Sequence, residues 1–220
     1  MISNFPKVER KEDEKSGAIE THLLLLKKPM VLLYFLAIFC YVGTEQGVAN
    51  WISQFLALYH DIDPQVQGAK TISNFWGMMT LGTLLGLLLL KFLDSRKVLI
   101  VTSVGTIFFL IAALFGTTQQ ALIAFPLIGF FIATMWSIII SLALNSVVEA
   151  HGSFSGILVT GIVGGALVPF IVGALGDVFG LKIGMLFLLI TLSFILSIGF
   201  WSKPLINNET LLSTSRKKNQ

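Results

Sequence analysis

Six long apolar runs constrain this chain more than any other feature of its sequence. They cover residues 30 to 59, 71 to 93, 98 to 116, 121 to 148, 153 to 176 and 183 to 202. Each is near or above the ~20 residues that cross ~30 Å of hydrocarbon as a helix. In lipid, backbone groups must be satisfied inside a helix or a closed barrel. Barrel strands are short and alternating, whereas these runs are continuous and rich in Leu, Ile, Phe and Gly, so a barrel is disfavoured. Composition agrees: 55% of the 220 residues are hydrophobic and 12% charged, against about 25% charged in soluble domains. The expectation is an all-α membrane protein of six transmembrane helices held in a lipid bilayer.

Charge placement orients the helices. With the N-terminus inside, thirteen of the fifteen basic residues fall in inner segments, and only Lys70 and Lys182 fall outside. That bias predicts both termini in the cytosol of a multi-pass protein of the plasma or inner membrane. The net charge of +3 then reflects topology and implies no nucleic-acid partner. Residues 1 to 28 read as a cytosolic polar arm ending in a short interfacial helix, 29 to 203 as the six-helix domain, and 204 to 220 as a disordered polar tail. The charge density of the first 28 residues and the length of the first apolar run do not suit a cleavable signal peptide. Cys40 lies alone within the first span and cannot build a multi-Cys metal site. One weak internal repeat is visible: "FLDSRKVLI" after the second run and "LGDVFGLKIG" after the fifth each put an Asp at a helix exit with a Lys close behind. Two three-helix units of inverted topology would produce that arrangement.

A charge near the bilayer centre costs roughly 2.5 to 3.5 kcal/mol on insertion scales, so such residues face protein or water and carry function. Glu45, in "YVGTEQGVANWISQF", is the acidic residue well inside a span. It lies roughly 22 Å of helix rise from Met30, close to mid-membrane. Its functional reading is a group that exchanges a proton or ligates a cation; its structural reading is a protonated acid bonded to a neighbouring helix. Gln46, Asn50, Ser53 and Gln54 fall on one stripe at helical spacing. Glu45 is about 100° round from Gln46, and Gly43 and Gly47 beside it permit a bend that would bring acid and stripe to one cavity. Amides and hydroxyls suit a polyol, because they supply donors and acceptors without fixed charge; the alternative is ordinary bonding between helices.

The remaining candidates lie on other spans. Asn74 precedes the small-xxx-small pair Gly82 and Gly86 in the second. In the fourth, Gly129, Ala133, Ser137, Ser141 and Asn145 form a ladder of small and polar residues with Trp136 beside it, and an indole face can stack on a sugar while its N–H donates, though Trp also anchors helices at interfaces. In the fifth, Gly161, Gly165 and Gly173 with Pro169 suggest a flexible gating helix or, alternatively, a packing surface. Enzyme readings find no catalytic constellation: "GSFSG" places Phe154 where a nucleophile elbow needs Ser. The histidines have no metal-ligand spacing, and no nucleotide fingerprint or cofactor motif is present.

The stretches "YVGTEQGVANWISQFL", "NFWGMMTLGTLLGLLLLKFLDSRKVL" and "MWSIIISLALNSVVEAHGSFSGILVTGIVGGALVPFIVGALGDVFG" occur in an order that resembles the seventh, eighth, tenth and eleventh helices of the fucose/glucose/galactose symporter family of the major facilitator superfamily. The resemblance covers about residues 30 to 202. It implies one half of that fold, the C-terminal one, itself a 3+3 inverted repeat. It also implies transport of a monosaccharide coupled to H+ or Na+. Substrate contacts would come from Gln46, Asn50, Trp51, Asn74, Trp136 and Ser137, ion coupling from Glu45, and flexibility from Gly43, Gly47, Gly161, Gly165 and Pro169. Where the tenth helix of the family has an aromatic followed by Pro, this chain reads Trp136, Ser137. Half a carrier would need an N-terminal half on another chain, a second copy, or a longer parent protein. The competing expectation is a six-helix membrane protein without transport activity, such as a sensor, an assembly subunit or an inactive fragment.

Overall fold

The computed structural model describes residues 19–148 and 150–205. The expected polar arm and disordered tail fall mainly on residues 1–18 and 206–220, outside the described residues. A short helix, α1 (Ile19–Leu26), precedes six helices long and apolar enough to cross a membrane: α2 (Pro29–His60), α3 (Pro64–Phe92), α4 (Ser95–Phe115), α5 (Thr118–Leu144), α6 (His151–Phe179) and α7 (Leu181–Trp201). Their number agrees with the six apolar runs. The chain is a multi-pass membrane protein.

Local chemistry sets the helix ends. Pro29 opens α2 at a position where its missing N–H costs nothing. Asp63 accepts from the backbone N–H groups of Gln65 and Val66, so α3 begins at Pro64, earlier than the apolar run indicates, with a π-type first turn. Asp94 accepts from the Arg96 amide at the start of α4. Thr117 and Gln120 cap α5 reciprocally. Gly180, at φ 89, makes the tight corner between α6 and α7 in a conformation that disfavours side chains.

Short connections make successive helices antiparallel, so α2 and α5, three helices apart, run in opposite directions. Exchanging α2, α3 and α4 for α5, α6 and α7 also exchanges the contacts: α6 lies along α2 as α3 lies along α5, α7 packs on α2 as α4 packs on α5, and α4 meets α7. Both diagonal seams use close glycine approaches. Between α3 and α5, a Cβ at Gly82 would strike the Phe130 carbonyl and one at Gly129 the Phe75 carbonyl. Between α2 and α6, a Cβ at Gly43 would strike Val168 and one at Gly164 the Phe39 carbonyl. The fold is therefore the 3+3 inverted repeat to which the two Asp-containing loops point.

The bend expected at Gly43 and Gly47 is absent. α2 runs as one continuous α-helix through both. Gly43 abuts Val168 of α6, and a Cβ at Gly47 would stand 2.7 Å from Leu188 of α7. These glycines serve close packing, and a glycine inside a helix costs only about 1 kcal/mol against alanine. The irregularities lie elsewhere, as a turn at Ala133–Thr134 in α5 and a 3-10 turn at Gly161–Val163 in α6.

Candidate functional site

The two helices at the centre of the symmetry carry most of the expected site. On α2, Glu45 and Gln46 are half-buried and Asn50 is exposed. No bend is needed to bring acid and amide together: Gln46 Nε2 donates to Glu45 Oε1 at 3.1 Å. The hydroxyl of Tyr41, one turn earlier, also interacts with this carboxylate. On α5, the half-buried Trp136 ring lies 5.8 Å from the Tyr41 ring at a tilt of 52°, and Ser137 is exposed just beyond it. A string of contacts thus runs from Gln46 through Glu45 and Tyr41 to Trp136.

Asn74 and Trp51 stand apart from that string. Asn74 is exposed on α3 and lines a groove with Ser73, Met78 and Pro126, between α3 and α5. Trp51 points to α6, where its Nε1–H donates to the Pro169 carbonyl at 3.1 Å. One member of the polar stripe is also engaged elsewhere: Ser53 Oγ donates to the Pro64 carbonyl at 2.7 Å and ties the start of α3 to α2. The stripe divides because α2 is encircled, so residues at one helical angle meet different neighbours at different heights.

The glycines of α6 share a second role. A Cβ at Gly161 would stand 3.0 Å from the Phe35 carbonyl and one at Gly165 2.9 Å from Val42. The same run that breaks into a 3-10 turn is therefore the run that lies against α2. Pro169 has no N–H, so the Gly165 carbonyl lacks its usual partner within the helix, and the Gln46 side chain passes directly over Gly165.

Chemically, a carboxylate flanked by an amide and a phenol can take a proton or hold a cation, while the exposed amide and hydroxyl of Asn50 and Ser137 can bond to sugar hydroxyls. No group of three or more His, Cys, Asp or Glu side chains that could hold a metal ion stands together among the described residues. Tyr41 was missed by the sequence reading, although its spacing of four from Glu45 puts both on one helix face. Gly164 was missed too, although the adjacent pair Gly164 and Gly165 marks a close approach.

The geometry can now be set beside known proteins. The chain is 33% identical over 171 residues to the glucose/galactose transporter of Brucella abortus, covering 75% of this chain and 40% of that protein. Its structure superposes on the major facilitator superfamily transporter FucP in the outward conformation with a TM-score of 0.81 at 20% identity, covering 91% of this chain and 50% of that one.

The chain has the fold of one half of that transporter.

A second structure, that of the fucose:proton symporter FucP of E. coli, covers 87% of this half and 47% of the symporter, with a TM-score of 0.78 at 20% identity. No family model matches the chain. The half spans about two-fifths of the length of its curated relatives. Those relatives are transporters and not enzymes. Within this half-fold, the Gln46–Glu45–Tyr41–Trp136 string belongs to the two helices that begin the two repeats, and the groove of Asn74 belongs to the seam beside them.

Proposed function

We propose that this chain supplies the C-terminal half of a carrier that moves a monosaccharide, a hexose or deoxyhexose, across the membrane together with H+ or Na+. The observation that carries the reading is a carboxylate within a span that accepts from the Gln46 amide and interacts with the Tyr41 hydroxyl, in a fold that covers half of a sugar symporter. Glu45 is the coupling group: binding of the cation or proton changes its charge and with it the bonds to Gln46 and Tyr41. Gln46, Asn50 and Ser137 bond to sugar hydroxyls, Trp136 offers an aromatic face, and Trp51 and Asn74 act nearer the edges. The substrate lies between this half and a second, on another chain or a second copy, and access alternates as the halves rock. The glycines and Pro169 of α6 absorb the change at the 3-10 turn.

The test is uptake of labelled glucose, galactose and fucose into proteoliposomes, with this chain alone and with a candidate second half, under an imposed H+ or Na+ gradient. Gradient-driven uptake with the pair supports the reading. Absence of both flux and hexose binding in every combination sinks it in favour of a non-transporting membrane protein.

A further inference from the structure

A second constellation lies well away from Glu45, where α2 meets α6 and the corner before α7. There Trp51, Gln54 and Tyr59 of α2 face Gly173, Asp177 and Gly180 across a cavity of about 290 Å³. Gln54 follows Gln46 by two helical turns, roughly 12 Å along α2, so this cavity is a different place from the acid–amide pair.

Its aromatic walls are fixed by backbone. The Trp51 N–H donates to the Pro169 carbonyl, and the Tyr59 hydroxyl accepts from the Lys182 amide, each at 3.1 Å. Gly173 lets the indole lie against α6, since a Cβ there would stand 2.7 Å from the ring. With its N–H engaged, the indole offers the cavity only its apolar surface. Two polar groups complete the lining: the Gln54 amide and the Asp177 carboxylate, both exposed and neither paired with another side chain among the described residues.

A rigid indole surface beside a free carboxylate and a free amide is a recognition set for a sugar ring. Ring C–H groups rest on the indole, and hydroxyls donate to the carboxylate and amide. Size narrows the class. The cavity lies close to the lower bound of about 300 Å³ for small-molecule pockets, which suits a single sugar ring. Charge narrows it further, because Asp177 repels sugar phosphates and uronates. The nearby ammonium of Lys182 is held over the rings of Tyr59 and Phe115, at 4.9 and 5.4 Å from their centres. We infer that this cavity is a vestibular binding site for a neutral monosaccharide, loading the path that leads to Glu45. The inference rests on the sugar-carrier reading, but its walls come wholly from this chain and need no second half.

That independence supplies the experiment. The full chain alone, in nanodiscs, is titrated with glucose, galactose and fucose while saturation-transfer NMR and tryptophan fluorescence are followed. Saturable binding is expected, and Asp177→Asn and Gln54→Ala each weaken it about ten-fold or more, the effect of one lost hydrogen bond to a charged or buried partner. Gly173→Ala, which displaces the indole without removing a polar group, weakens it comparably, with unchanged circular dichroism. The inference is overturned if the chain alone binds no hexose, if binding survives all three substitutions, or if a hexose phosphate binds more tightly than the hexose. None of those results by itself sinks the carrier reading, which gradient-driven uptake with a second half decides separately.

Discussion

α2 and α3 are neighbours in the chain, both long and similarly apolar, yet they occupy different surroundings. In its most apolar stretch α2 is 56% buried within the bundle and α3 only 17%. α2 touches α3, α5, α6 and α7, whereas α3 lies chiefly against α5. Leu81, Leu84, Leu85, Leu87 and Leu88 of α3 face outward. The difference teaches that hydropathy in a membrane measures suitability for apolar surroundings of either kind, lipid or protein. What draws α2 inward is small residues placed where other helices cross it.

The largest effect separates the two helices by function. Glu45→Gln keeps a hydrogen-bonding side chain of the same shape but no charge. Ion-driven uptake by the assembled carrier should fall at least ten-fold, while thermal unfolding in detergent stays within about 0.5 kcal/mol. Unchanged uptake with unchanged pH and sodium dependence would break the assignment. Asn74→Ala on α3 should reduce uptake less, since its groove is not joined to the Glu45 string.

Next comes the seam itself. Gly164→Ala forces a methyl into the Phe39 carbonyl, and backbone cannot step aside as a side chain can. The expected loss is about 1–3 kcal/mol of stability, read as a lower unfolding midpoint. If Gly164→Ala is neutral, the α2–α6 seam is looser than described and the contrast with α3 weakens.

A smaller loss is expected at the join of α2 to α7, where the hydroxyls of Thr44 and Thr191 meet at 2.6 Å. Thr44→Val preserves shape and removes the bond, so the cost should be about 0.6 kcal/mol, the average for such pairs between membrane helices. The last effect, with opposite sign, belongs to α3. A Cβ at Gly77 meets nothing within 4 Å, so Gly77→Ala should be neutral or stabilise by up to about 1 kcal/mol through helix propensity. A marked loss there would mean that another chain covers that face.

Parts of the candidate site were open to sequence reasoning and parts were not. An acid within an apolar run is visible because its insertion cost is large. That Glu45 would bond to Gln46 without a bend was not visible, because helical angle describes where a side chain starts and not how far a flexible amide reaches. Ser53 reads as a member of the polar stripe for the same reason, and Trp51 as a substrate contact on the resemblance. Their bonds to the carbonyls of Pro64 and Pro169 depend on how α3 and α6 cross α2, which no spacing within α2 can reveal.

The sequence by itself determined the number of membrane helices, their alternating direction and the one carboxylate that needs a reason to be inside. Those follow from the cost of placing polar groups in hydrocarbon, which each segment meets alone. The tertiary structure decided which face of each helix meets protein, that Gly43 and Gly47 lie in close packing along an unbent helix, and that Trp51 and Asp177 line one cavity. Lipid tails and helix interiors are equally apolar, so shape complementarity chooses between them, and shape exists only once the helices are assembled.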